Sequence, residues 1–212
     1  MAEILFVCTG NICRSPMAEG FTRAELARRG ITGIGVASSG VSAWTDSSAT
    51  AESVDALREL GVDISAHRAR RVEPSMLGQA ESVICMTAGQ REAIVHTAPA
   101  VADKAFTLKE VVHLLAAVAE GAPAEGDSPV EQLRRSVAAA AALRAGGRIE
   151  EPIDLDVADP IGLGAGTYRA TAWEVQDLCR RMVDGLFRIP TGAGIRMEDR
   201  ARDGGIWGGD VA

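Results

Sequence analysis

Short apolar runs alternate with longer segments of helical periodicity along most of this chain. Strand-like runs fall at about 3–8, 33–38, 81–86 and 104–108, the first built on Ile4-Leu5-Phe6-Val7 and the third on Val83-Ile84. Between them the apolar positions recur every three or four residues, the signature of a helix with one buried face. A first helix is predicted over about 15–29, with Met17, Phe21, Ala24 and Arg28 on one face and a stop at Gly30. A second covers about 48–60 and ends at Gly61, a third about 88–96 and ends near Pro99, and Lys109–Glu120 forms a short apolar one. The strongest pattern spans about 165–187, where Tyr168, Ala172, Val175, Cys179, Met182 and Leu186 share a stripe. Strands alternating with helices predict an α/β fold on a parallel sheet, whose ligands bind beyond the carboxyl ends of the strands.

Composition narrows the class. Of 212 residues 47% are hydrophobic, enough for a packed core. The net charge of −7, with no block of Lys or Arg, argues against nucleic acid or an anionic membrane as partner. No apolar run approaches 18 residues and no leader pattern opens the chain, so a cytoplasmic protein is expected. Cys8, Cys13, Cys85 and Cys179 have neither metal-ligand spacing nor the density of a disulfide framework, which also suits a reducing cytoplasm. Three scattered histidines make no metal site, and no cofactor is implied.

The chemistry gathers at Cys8-Thr9-Gly10-Asn11-Ile12-Cys13-Arg14-Ser15-Pro16. The first strand delivers Cys8 to its end, and five residues later Arg14 and Ser15 open a helix. Backbone N–H groups of such a loop, together with a helix N-terminus, suit a tetrahedral oxyanion. The same field favours a thiolate at Cys8. Arg14 can grip two oxygens with its planar fork. A nucleophile inside an anion cradle is what phosphoryl transfer through a cysteinyl intermediate requires. Cys85 and Arg91 repeat the spacing, but context separates the two. Gly10 and Asn11 tolerate positive φ, Ser15 is an N-cap type whose hydroxyl can also reach the thiolate, and Pro16 suits the first helical position, whereas Glu92 follows Arg91.

The nonapeptide resembles the active-site signature of the low-molecular-weight protein tyrosine phosphatases, a superfamily shared with the thioredoxin-coupled arsenate reductases. The resemblance extends to Val36-Ala37-Ser38-Ser39-Gly40 with Trp44 after it, to Leu60–Arg70, and to Val157-Ala158-Asp159-Pro160, covering residues 1–112 and 154–188. It implies a four-stranded parallel sheet of flavodoxin-like order 2-1-3-4 flanked by helices. It implies a metal-independent phosphatase in which Cys8 becomes a phosphocysteine, Arg14 stabilises the transferring group and Asp159 is the general acid. Asp154 and Asp156 compete for that last role, but only Asp159 precedes a proline. Thr9, Gly10, Asn11, Ile12, Cys13 and Ser15 would contact substrate through the loop. Trp44 would wall the cleft, and Ser39 and His67 would support the loop. The implied partners are a phosphotyrosyl protein or small phosphomonoester and a phosphate or arsenate oxyanion. Ile161 and Gly162 stand where the family often places aromatics, which removes stacking surface.

Arsenate reduction with an external thiol donor is the alternative, because arsenate is nearly isosteric with phosphate. The internal relay of the reductases is broken here, since Glu92 stands seven residues after Cys85. Cys13 lies five residues from Cys8, and a reversible disulfide between them would protect the nucleophile. The departure from the family pattern is 121–153: a turn-rich linker, an alanine-rich helix over Val130–Ala145 and an acidic stretch. A surface insertion packing at the sheet edge is expected; a lid leading into the Asp159 loop is the sharper reading. Residues 1–189 are read as one domain, and glycine-rich 190–212, with Trp207, as a flexible tail.

Overall fold

The computed structural model describes residues 2–118, 127–147 and 154–187. Four strands, β1 (Ala2–Cys8), β2 (Ile34–Gly40), β3 (Ser82–Cys85) and β4 (Ala105–Thr107), form one sheet of order β2-β1-β3-β4. Every pairing in it is parallel. The helices are α1 (Arg14–Arg28), α2 (Ala51–Glu59), α3 (Pro74–Gln79), α4 (Ala88–Thr97), α5 (Leu108–Ala117), α6 (Pro129–Ala145) and α7 (Ala165–Leu186), with a 3₁₀ turn at Pro99–Lys104. The order implied by the family resemblance is the order observed.

β1 is buried on both faces, as a central parallel strand must be. Ile4 and Phe6 point to the layer holding α1, α5 and α7, and Leu5 and Val7 to the opposite layer with Leu77 and Ile94. The α7 stripe predicted from spacing is buried along its length, from Tyr168 to Leu186. It approaches α5 so closely that a Cβ at Gly185 would stand 2.7 Å from the Cβ of Leu115. The predicted face of α1 is corrected. Ala24 and Arg28 are exposed, and the buried stripe is Met17, Ala18, Phe21, Thr22 and Leu26, because α1 is covered by both the sheet and α7. The second helix starts later than predicted, at Ala51, where the Thr50 hydroxyl accepts the Ser53 N–H and caps it. The six-residue α3 buries only Leu77 and offers no periodic signal.

The described part of the insertion is α6, opened by a capping box between Ser128 and Glu131. It packs on α5, on α7 and on the 3₁₀ turn. Ser136 donates to the carbonyl of Leu186 at 2.8 Å, among the free carbonyls at the end of α7. Arg144 donates to the carbonyls of Ala105 (2.8 Å) and Ala102 (2.6 Å), and its guanidinium sits 4.4 Å from the centre of the Phe106 ring. The edge strand β4 is thereby covered rather than left as an open template. The expected linker and acidic stretch lie partly, and the expected tail wholly, outside the described residues. Among the described residues no helix is long and apolar enough to cross a membrane.

Candidate active site

Cys8 ends β1 at the carboxyl edge of the sheet and is 3% exposed. The loop that follows must turn back into α1 while pointing its amides inward, and Asn11 makes that turn with φ of 54°. Asn11 is wholly buried and fully engaged. Its Nδ2 donates to Ser38 Oγ (2.8 Å) and Ser15 Oγ (3.0 Å), and its Oδ1 accepts the Arg70 N–H (2.9 Å). His67 Nε2 donates to the Asn11 carbonyl at 2.8 Å. That carbonyl only accepts, so His67 carries its proton on Nε2. Burial pushes its pKa below the usual value, which favours the neutral ring. Gly40 completes the frame: a Cβ there would stand 2.6 Å from the Thr9 carbonyl oxygen and 2.9 Å from the Asn11 nitrogen, both backbone.

Two groups face the Cys8 sulfur, the Ser15 hydroxyl at 2.9 Å and the Asn11 N–H at 3.2 Å. Ser15 accepts from Asn11, so its proton is free for the sulfur, which lies closer than its other acceptor, the Ser39 carbonyl at 3.4 Å. The helix begins earlier than predicted. Arg14 is its first residue and Cys13 its N-cap, so Ser15 is not the cap and Pro16 is the third helical residue. Arg14 is 4% exposed; Nη1 donates to the Val157 carbonyl at 2.9 Å and Nη2 meets Asp159 Oδ2 at 2.5 Å.

The loop carrying Asp159 is pinned to the sheet, where the Val157 N–H donates to the Met86 carbonyl at 2.8 Å. Its neighbours are occupied. Asp154 pairs with Lys109 at 2.8 Å, and Asp156 accepts the Ala88 N–H at 2.7 Å, at the start of α4. Asp159 is the carboxylate that reaches Arg14. Thr9, Arg14, Gln90, Asp156, Val157 and Asp159 are among the residues lining a cleft of about 460 Å³ beside the loop.

Cys8, Arg14, Ser15, Asn11, His67 and Asp159 are therefore brought together, with the Thr9–Cys13 loop among them. One assignment needs correction. The Ser39 hydroxyl is buried without a hydrogen-bond partner among the described residues, and the supporting serine is Ser38, which also donates to Glu19 at 2.5 Å. Trp44 stands on the loop after β2 and is 84% exposed. Sequence reading also missed Arg70, whose Nε holds the Ser38 carbonyl at 2.8 Å, and Gln90. Cys13 is buried, with its sulfur 3.7 Å from Thr50 Oγ1 and 3.9 Å from the Tyr168 hydroxyl, and burial raises its pKa. The second Cys-x5-Arg builds no cradle. Cys85 is buried with its pKa pushed up to about 12, and Arg91 donates to the Ala105 carbonyl at 2.8 Å. Cys179 is equally buried and pushed up to about 12, beneath α1.

Comparison with known proteins agrees with this geometry. The profile of the family described as low molecular weight phosphotyrosine protein phosphatase matches residues 3–129. A protein-arginine-phosphatase of Geobacillus stearothermophilus is 32% identical over 184 residues, 87% of this chain and 95% of that protein. A probable low molecular weight protein-tyrosine-phosphatase of Ralstonia nicotianae is 36% identical over 108 residues, 51% of this chain and 71% of that protein. Among solved structures, the low molecular weight protein tyrosine phosphatase of T. tengcongensis superposes with a TM-score of 0.64 at 32% identity, covering 87% of this chain and 99% of that one. The YwlE arginine phosphatase of Geobacillus stearothermophilus gives 0.63 at 30% identity, covering 88% and 93%. These relatives are phosphatases, which does not favour the arsenate reductase alternative. With the fold, the cysteine loop and the profile in agreement, the chain belongs to the low molecular weight phosphotyrosine protein phosphatase family and is a cysteine-based hydrolase of phosphorylated substrates.

Proposed function

We propose that the chain removes the phosphoryl group from phosphotyrosine in proteins, through a phosphocysteine on Cys8. The contact that carries this reading is the shared environment of Cys8, whose sulfur faces Ser15 and Asn11 while Arg14, six residues on, reaches Asp159. In the first half the sulfur attacks phosphorus, the S–P bond forms and the bond to the side-chain oxygen breaks. Protonated Asp159 gives that oxygen its proton. Arg14 and the loop amides hold the equatorial oxygens. In the second half Asp159 takes a proton from water as the water attacks phosphorus, and the thiolate departs toward the Ser15 hydroxyl. Four free cysteines, Cys85 and Cys179 deeply buried among them, suit the proposed cytoplasmic setting.

Phosphoarginine is the second reading. The Geobacillus arginine phosphatase aligns over nearly its whole length. Asp156 and Asp159 line the cleft, where carboxylates suit a guanidinium, and no Phe, Tyr or Trp is among the lining residues. Hydrolysis of para-nitrophenyl phosphate in chelator and reductant, beside Cys8→Ser and Asp159→Ala, tests the chemistry. Turnover abolished by the first change and strongly lowered by the second is expected; turnover that survives Cys8→Ser overturns the reading. Matched phosphotyrosyl and phosphoarginyl peptides then decide the substrate.

A further inference from the structure

Gln90 makes contacts that the phosphatase reading leaves without a role. It is 7% exposed, sits in the first turn of α4 and lines the cleft with Thr9, Arg14 and Asp159. Its Oε1 lies 3.1 Å from the backbone nitrogens of both Met86 and Thr87. Those groups only donate, so the oxygen must face them and the amide nitrogen must face away. That nitrogen donates to Thr9 Oγ1 at 3.1 Å. Thr9 is therefore the acceptor in this contact and keeps its own proton for another partner. Thr9 is exposed to the cleft, and among the described residues its hydroxyl has no second partner.

We propose that the Thr9 hydroxyl donates a hydrogen bond to the oxygen that leaves in the first half of the reaction and to the water oxygen that enters in the second. Gln90 is the positioning residue that fixes the direction of this donor. The inference rests on the phosphocysteine reading above. Both steps pass through the same place, opposite the sulfur and within reach of the acid, and Thr9 and Asp159 line one cleft. Thr9 keeps its proton throughout; Asp159 alone gives and takes one. A fixed donor aimed at an oxygen whose charge changes needs no reorganisation at the moment of reaction.

Helix capping alone does not demand glutamine. Thr87 and Gln90 form a capping box on α4, and glutamate serves that box equally well. Gln90→Glu keeps the cap but reverses the contact with Thr9: a carboxylate only accepts, so the Thr9 proton turns toward it and away from the cleft.

The test uses the full chain with para-nitrophenyl phosphate, measuring kcat, KM, inhibition by inorganic phosphate and thermal midpoint. Thr9→Val is expected to lower kcat about tenfold while phosphate inhibition stays within about twofold. Thr9→Ser recovers most of that loss. Gln90→Glu keeps its midpoint and lowers kcat by a similar factor, and adding Thr9→Val to it lowers kcat by less than about twofold more. Three results each overturn the inference: Thr9→Val with kcat within about twofold of wild type, Thr9→Ser as slow as Thr9→Val, or the two losses multiplying independently. Should Gln90→Glu fail to fold, the Thr9 pair decides alone. Turnover surviving Cys8→Ser overturns the phosphocysteine reading itself, and this inference with it.

Discussion

Arg14 Nη2 and Asp159 Oδ2 stand 2.5 Å apart, so the anion-binding guanidinium and the proposed acid hold each other across the cleft mouth. An arriving phosphoryl group meets an Nη2 already held by that carboxylate and a buried Nε with no partner among the described residues, while Nη1 faces the Val157 carbonyl. In the proposed mechanism, displacing the carboxylate from Nη2 would free Asp159 for the leaving oxygen and so link binding to readiness of the acid.

Removing the carboxylate should therefore move binding and catalysis in opposite directions. Asp159→Ala is expected to lower kcat about 100-fold, the loss of a general acid. The same change should tighten inhibition by inorganic phosphate about threefold to tenfold, because a like charge no longer holds Arg14. Inhibition constants at pH 7 give the answer, and weaker phosphate binding in the variant would show that Asp159 does not compete.

The two adjacent serines of β2 separate support from bystander. Asn11→Ala forfeits two donations and the Arg70 contact, and puts at φ of 54° a residue that tolerates this conformation less well than asparagine. The expected loss is about 3 kcal/mol of unfolding free energy. Ser38→Ala should cost about 1–2 kcal/mol, because Asn11 and Glu19 both lose a partner. Ser39→Ala should stay within about 0.5 kcal/mol, since its hydroxyl has no partner to lose. Urea unfolding of the three variants checks the order.

That contrast also marks where the sequence stopped being legible. The nonapeptide displays nucleophile, anion-binding arginine and supporting asparagine within a few residues, so local reading finds them. Which serine supports the loop depends on sheet register. Ser38 pairs with Phe6 and Ser39 with Val7, which puts Ser38 on the α1 face beside Glu19 and Ser39 on the other. A shift of one residue exchanges them, and no local pattern gives that register. Gln90 was missed for a similar reason, since its partner Thr9 is 81 residues away.

His67 should give the fold a dependence on pH. Its folded pKa is depressed, chiefly by burial, below the ordinary value of 6.5. The unfolded chain therefore takes up the proton first as pH falls. The contribution is fully present above about 6.5 and declines below it, until pH passes the folded value. Unfolding free energy measured between pH 8 and pH 5 should fall on the acid side, and His67→Gln should flatten that part of the slope. An unchanged slope in the variant would assign the dependence to other groups.

The alanine-rich helix of the insertion acts on the edge of the sheet, and Arg144 is the residue that joins the two. Its guanidinium serves the carbonyls of Ala102 and Ala105, lies 3.3 Å from Glu110 and covers Phe106. None of the cleft-lining residues comes from α6. Arg144→Met keeps the apolar stem and removes the donors, leaving a buried edge carbonyl with one donor fewer and Glu110 without its nearer arginine. Hydrogen bonds to charged groups are the stronger kind, so a loss of about 2 kcal/mol is expected, seen as a lower urea midpoint. The kcat for para-nitrophenyl phosphate should not change at temperatures where the variant is folded. If kcat falls while stability holds, α6 reaches the Asp159 loop and the lid reading of the insertion is the correct one.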